Sequence, residues 1–176
     1  MKKITIIVAA LALTVSASAF NPFPISTENV LVLLEKNRAS DLNAEVTNQK
    51  VKTAFSIKFR QAEKVTWKQV KEFYFANFEM NNRQYAAAYS KEGEMIAVSR
   101  TLSKDQLPLA VITSLEERFE GYKMPAEVTE LVMDGDTSYY LTVEDATRFL
   151  QIKCSAEGHI TIDKKIKKKI LVGSVS

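Results

Sequence analysis

Ser90-Lys91-Glu92-Gly93 and Ser155-Ala156-Glu157-Gly158 write the same turn twice, about 65 positions apart. An Arg stands seven residues before each turn's Ser, at Arg83 and Arg148. Upstream, two helix-like runs end in Phe59 and Phe119, about 60 positions apart, so the second copy carries a small insertion between helix and turn. Self-similarity at this period decides the architecture before any single residue does. It describes a tandem α+β module in which each unit is a helix followed by four antiparallel strands.

Working back from the first turn, Asn81-Asn82 suits a two-residue hairpin, because Asn tolerates positive φ. That turn fixes a register in which Phe78 faces Tyr85, Ala76 faces Ala87 and Tyr74 faces Tyr89, all on one apolar sheet face. Phe73, Phe75, Gln84, Ala86 and Ala88 then lie on the opposite face. A strand at Val65-Thr66-Trp67 precedes the hairpin, with Trp67 read as core or sheet-edge packing. Another strand runs from about Glu94 to Leu102, where Met95/Ala97 and Ile96/Val98 compete for the core side. Thr47 is a candidate N-cap for a helix through Phe59, with Val51, Ala54, Phe55 and Phe59 along one stripe.

The second unit opens on Ser103-Lys104-Asp105-Gln106, a capping-box pattern, with Pro108 suited to a first helical turn. Leu107, Val111, Leu115 and Phe119 follow at four-residue spacing and Gly121 ends the run. Strands are expected near Val128–Met133, Tyr139–Val143, Phe149–Cys154 and Ile160–Ile166, with Asp134-Gly135 turning the first pair. Tyr139, Leu141 and Val143 alternate with polar positions, as do Leu150, Ile152 and Cys154, which marks a half-buried antiparallel sheet.

The N-terminus reads differently. Lys2-Lys3, the apolar stretch Ile4–Val15 and Ala17-Ser18-Ala19 form a secretory signal peptide over residues 1–19, with no Cys following to accept a lipid. Cleavage before Phe20 leaves about 157 residues and a net charge near +1, against +3 for the whole chain. No global case for nucleic acid follows, and no stable membrane insertion after cleavage is expected. Residues 20–46 form an N-terminal extension containing the apolar run VLVLLEK at 30–36, helix or strand. Residues 47–102 and 103–170 are the two repeats, expected to pack as one compact domain. Lys164-Lys165 and Lys167-Lys168-Lys169 read either as a solvated, charged edge strand or as a docking patch for an acidic partner.

Chemistry is scarce. The single histidine, His159, excludes a multi-His metal site, and no cofactor or metal is expected. Ser155 and Asp163 lie near His159 in sequence, but no nucleophile elbow surrounds Ser155. Asp134-Gly135-Asp136 lacks the downstream ligands of a calcium loop and reads as a hairpin turn. The lone Cys154 cannot form an intrachain disulfide and reads as a buried small hydrophobe.

Ala62-Glu63-Lys64-Val65-Thr66-Trp67 after a helix ending in Phe resembles the A-x-x-V-x-W opening of PepSY-like proteins of Gram-negative envelopes, a family similar to the β-lactamase inhibitor protein. Leu107-Pro108, Phe119-x-Gly121-Tyr122, Tyr139-Tyr140 and Glu157-Gly158 fit the same order, over roughly Thr47 to Lys168. Met124-Pro125 departs from it, standing where the first unit has Lys64-Val65. The resemblance implies helices on an antiparallel sheet of about eight strands, a β-lactamase-inhibitor-protein-like fold. It also implies a periplasmic or secreted protein without catalytic residues, binding a protein or peptide of the cell envelope. Phe73, Phe75, Tyr140 and Phe149, on the sheet face opposite the inferred core, are the candidate binding surface. Alternatively the segment Val30–Leu34, or the second helix, covers that face. A structural or ligand-sequestering protein for glycan or a small hydrophobic molecule is the rival function.

Overall fold

A computed structural model of the chain describes residues 27–38 and 48–168. The expected signal peptide, Thr47, Lys169 and most of the expected N-terminal extension lie outside the described residues. Among the described residues, three α-helices, α1 (Thr27–Arg38), α2 (Gln49–Lys58) and α3 (Leu109–Arg118), accompany β1 (Glu63–Val70), β2 (Phe73–Met80), β3 (Arg83–Tyr89), β4 (Met95–Ser103), β5 (Glu127–Met133), β6 (Asp136–Glu144), β7 (Arg148–Ser155) and β8 (Ile160–Lys167). The strands form one eight-stranded antiparallel sheet in sequence order, so the fold is α+β, built from two helix-then-four-strands halves.

The register follows from turn chemistry. Asn81 and Asn82 take φ of 53° and 59°, and Tyr74, Ala76 and Phe78 pair with Tyr89, Ala87 and Tyr85 as the hairpin rule requires. One face of this hairpin packs on α2. Phe55 meets Trp67, Phe78 and Tyr89 edge-on, with ring centroids 5.0, 5.1 and 6.4 Å apart. Each aromatic or branched side chain closed off in this way contributes about 1.5–3 kcal/mol.

The second half repeats the arrangement. Val111, Leu115 and Phe119 pack on Val128, Tyr139, Leu141, Val143, Leu150, Ile152 and Cys154, as their four-residue spacing predicts. Both helices stop identically: the N–H of Phe59 donates to the Phe55 carbonyl at 2.8 Å, and that of Phe119 to the Leu115 carbonyl at 3.0 Å.

The repeated Ser-x-Glu-Gly turns are helix seats. Ser90 Oγ accepts from the N–H groups of Glu92 and Glu94, and Ser155 Oγ from that of His159. Gly93 and Gly158 close the turns at φ of 88° and 90°. A Cβ on Gly93 would lie 2.9 Å from the Lys50 carbonyl oxygen of α2, and one on Gly158 would lie 2.8 Å from that of Ala110 in α3. Only a residue without a side chain lets turn and helix meet this closely.

Three expectations are corrected or resolved. The first-unit cap is Asn48, whose Oδ1 accepts from the N–H groups of Lys50 (3.0 Å) and Val51 (3.3 Å). In the capping-box segment, Gln106 Oε1 accepts from Ser103 N–H at 3.3 Å, but this closes a short 3₁₀ turn, and α3 begins only after Pro108. The ambiguity in β4 has a physical cause. Tyr89 pairs with Met95 and Ala88 with Ala97, so Ile96 is an extra residue at a β-bulge. The bulge reverses the alternation: Met95 and Val98 face α2, while Ile96 and Ala97 face away from it.

The run at 30–36 is helical and belongs to α1. Val30 and Leu34 pack on Phe75, Ala86, Ala88, Ile96, Ala97, Leu131 and Tyr140, on the sheet face opposite α2 and α3. Small residues at 86, 88 and 97 let this helix lie close to the strands.

Candidate docking face

The register places Phe73, Phe75, Tyr140 and Phe149 on one face of the sheet, the face opposite α2 and α3. They do not form one exposed patch there. Phe75 (2% exposed) and Tyr140 (9%) are closed off in the cluster with Val30 and Leu34, and Phe73 packs half-buried against it. The expectation that these rings line an open sheet is therefore corrected for Phe75 and Tyr140. The covering is by α1, the alternative that the apolar run at 30–36 had left open. Phe149 stands apart near the other edge, half-buried, with Lys168 Nζ 4.7 Å from its ring centroid.

Among the described residues, what α1 leaves uncovered is the same face of β7 and β8 and the parts of β5 and β6 beyond Leu131 and Tyr140. The cross-strand rows there are Thr129–Tyr140–Lys153–Thr161, then Thr142–Gln151–Lys164, then Glu144–Phe149–Ile166. Thr142, Gln151, Thr161 and Lys164 are exposed. Between α1 and this face runs an open groove of about 500 Å³, whose walls include Val32, Glu35, Thr129, Tyr140, Thr142, Gln151 and Lys164. Val32 is 59% exposed at its rim, and Ile166 38% exposed on the last strand. An extended segment laid across the face would remove these apolar groups from water.

The strand ends of this face are fixed by charge. Glu144 binds Lys123 at 3.1 Å and Lys168 at 2.8 Å, and these bonds hold its carboxyl below the usual range. Asp145 holds the β6–β7 turn, accepting from the N–H groups of Thr147 (2.7 Å) and Arg148 (2.9 Å) and from Arg148 Nε (2.9 Å). Its carboxyl is held far below the ordinary value, chiefly by the Thr147 N–H and then by Arg148.

On the opposite face, between α2 and α3, a polar ladder crosses the middle of the sheet. Tyr85, Arg100, Glu130 and Tyr139 are register partners on β3 to β6. Arg100 grips Glu130 through Nε and, at 3.1 Å, through Nη2, and this pairing holds the guanidinium charged. Tyr139 Oη donates to Glu130 Oε1 at 3.4 Å, and burial with the Glu130 charge pushes its phenol up. Periodicity gave no sign of this network. An Arg and a Glu among strand hydrophobes become partners only through the β4–β5 register.

Catalytic geometry does not emerge among the described residues. Ser155 Oγ lies 3.4 Å from His159 Nδ1, yet Ser90 makes the same turn with Glu94 in place of His159. The hydroxyl is thus explained as a turn staple. Cys154 is buried, and burial pushes its thiol up, away from the reactive thiolate. Asp134-Gly135 is the β5–β6 hairpin turn. Among the described residues, no three His, Cys, Asp or Glu side chains gather to hold a metal ion. None of the described helices is long and apolar enough to cross a membrane. Beside α3 an open crevice of about 220 Å³ is walled by Leu107, Ile112, Leu115, Met124, Val128 and Leu141.

The arrangement as a whole defines a class: a continuous antiparallel sheet, two repeated helices on one side, and a partly bare opposite side. No family model and no curated protein matches the sequence. Solved structures do match the fold. A BLIP-like protein of Bacteroides fragilis is 17% identical, with a TM-score of 0.60 over 78% of this chain and 96% of that chain. A DUF2874 family protein of Bacteroides ovatus is 17% identical, with a TM-score of 0.60 over 74% of this chain and 96% of its own. A protein of Bacteroides eggerthii described as a candidate periplasmic protein is 18% identical, with a TM-score of 0.58 over 68% of this chain and 87% of its own. The chain therefore has the BLIP-like fold that its sequence motifs resemble; at these identities the likeness is one of fold.

Proposed function

We propose that this chain is an exported, non-enzymatic binding module, an inhibitor or regulator of an envelope enzyme, that docks a protein or peptide on the uncovered face of β5–β8. One observation carries the reading: α1 covers its sheet face only as far as Leu131 and Tyr140, leaving a groove and the Thr142–Gln151 and Phe149–Ile166 side beside it open. A rigid sheet bearing half-exposed apolar groups binds without ordering much chain, so little affinity is lost to entropy. The N-terminal targeting sequence and the candidate periplasmic relative support the compartment. Two of the four aromatics first considered, Tyr140 and Phe149, remain part of this surface, one at the groove and one at its far end. The ligand-sequestering alternative is weaker, because the groove beside α1 and the crevice beside α3 are both open to solvent and neither encloses a ligand.

The test is site-specific photocross-linking in the native envelope. A cross-linker at Thr142 or Gln151 should trap a discrete partner, and one at Ser56 or Thr113, on the helices of the other side, should not. Equal trapping from all four positions, or none from Thr142 and Gln151, would count against the proposal.

A further inference from the structure

Resting on that reading, we infer that the segment held on the open face is acidic and extended, and that it lies along β7 and β8. The two outer strands carry an excess of positive charge. Lys153 and Lys164 stand on the open face, and Lys165 and Lys167 are exposed on the edge strand beside them. Asp163 is the one carboxylate within the two strands, and the other strand cation, Arg148, is bound by Asp145. Around the lysines on the face stand Gln151, Thr161 and, beside Lys164 in the groove wall, the carboxylate of Asp163, with Tyr140, Phe149 and Ile166 flanking them.

The spacing suits one ligand geometry. Lys164 pairs with Gln151, two residues along β7 from Lys153, so it is a diagonal neighbour of Lys153 across a β8 bulge in which Asp163 is the extra residue. Diagonal neighbours lie about 7–8 Å apart. Alternate side chains of an extended strand recur every ~7 Å. A segment alternating carboxylate and apolar residues could thus set successive carboxylates on Lys153 and Lys164.

Among the described residues β8 pairs only with β7, so it is the edge past which the segment lying on the face runs out. Lysines along such an edge repel a second copy of themselves, which opposes self-association through β8. The same charges attract an acidic strand and speed its encounter. Blocking self-pairing and selecting an acidic partner are one property of this edge.

The test uses the mature chain, residues 20–176, and a fluorescein-labelled ten-residue peptide of alternating Glu and Val, followed by fluorescence anisotropy. The acidic peptide should bind, and binding should weaken several-fold as salt rises from about 50 to 200 mM. Lys153→Glu with Lys164→Glu should weaken it tenfold or more while the melting temperature stays within about two degrees, since both side chains reach solvent. Lys58→Glu, on α2 across the sheet, should leave it unchanged. Equal binding of a Lys-Val peptide, unchanged affinity in the double variant, or no binding of the acidic peptide at millimolar concentration would overturn the inference. A Thr142 cross-link that persists in the double variant would also remove the acidic assignment, while leaving the open face as the docking surface.

Discussion

Replacing Gly158 by alanine puts a methyl group into space that α3 already occupies. Two costs can be separated. The residue sits at φ of 90°, in a region where an L side chain is strained by about 1–2 kcal/mol. The new Cβ would also collide with Ser114 Oγ and lie 2.8 Å from the Ala110 carbonyl oxygen. The serine can rotate, but the carbonyl is helix backbone and moves only with α3, an overpacking cost of about 1–3 kcal/mol. The sum is about 2–5 kcal/mol. Gly135 supplies the control: its φ is 87°, yet an added Cβ would meet nothing within 4 Å. Gly135→Ala should therefore cost only the strain, about 1–2 kcal/mol. Urea denaturation of both variants, with equal m-values, reads the difference directly. By thermal melting the gap should be several degrees, at about 2–4 °C per kcal/mol for a domain of this size. If Gly158→Ala is no worse than Gly135→Ala, the repeated turns are not helix seats.

The remaining expectations concern other parts of the same architecture. Leu34→Ala should destabilise the chain by about 2–5 kcal/mol in denaturant titration, because a buried α1 side chain leaves a void over β2–β4. Glu130→Leu should cost about 1–2 kcal/mol, a value discounted because the Arg100 side chain is 35% exposed. Arg100→Met in addition should recover most of that loss, read by a double-mutant cycle. Asp145 has a folded-state pKa below its unfolded value, so its contribution is present above the ordinary carboxylate range and is lost as pH falls through the folded value. Asp145→Asn should accordingly lower the melting temperature near neutral pH, and its gap to the parent should narrow steadily below about pH 4.

The sequence carried most of the first hairpin and the second unit because each rests on local rules. Two Asn residues set a register, and four-residue spacing set the buried stripe of α3. It was ambiguous where one residue changes the phase, as Ile96 does at its bulge, since period-two alternation presumes an unbroken ladder. The cap moved from Thr47 to Asn48 because adjacent oxygen-bearing residues satisfy the same preference and only geometry chooses between them. The aromatic face was assigned to the correct side of the sheet but not to its exposure. Cover is a tertiary fact: a seven-residue apolar run at 30–36 fits helix or strand until Ala86, Ala88 and Ala97 offer it a flat seat. The lysine-rich strand was legible as charge, while its position at the sheet edge beside an open groove was not.

The most direct measurement of the docking face is thiol modification of single cysteines introduced at Thr142 and at Thr113. Native Cys154 is buried and gives a slow background. In the purified mature chain both new thiols should react at nearly the rate of a free thiol. In a dialysed envelope extract, Thr142→Cys should slow at least tenfold while Thr113→Cys stays fast. A Thr142→Cys thiol that is already protected in the purified chain, or one that reacts equally fast in the extract, would contradict the account.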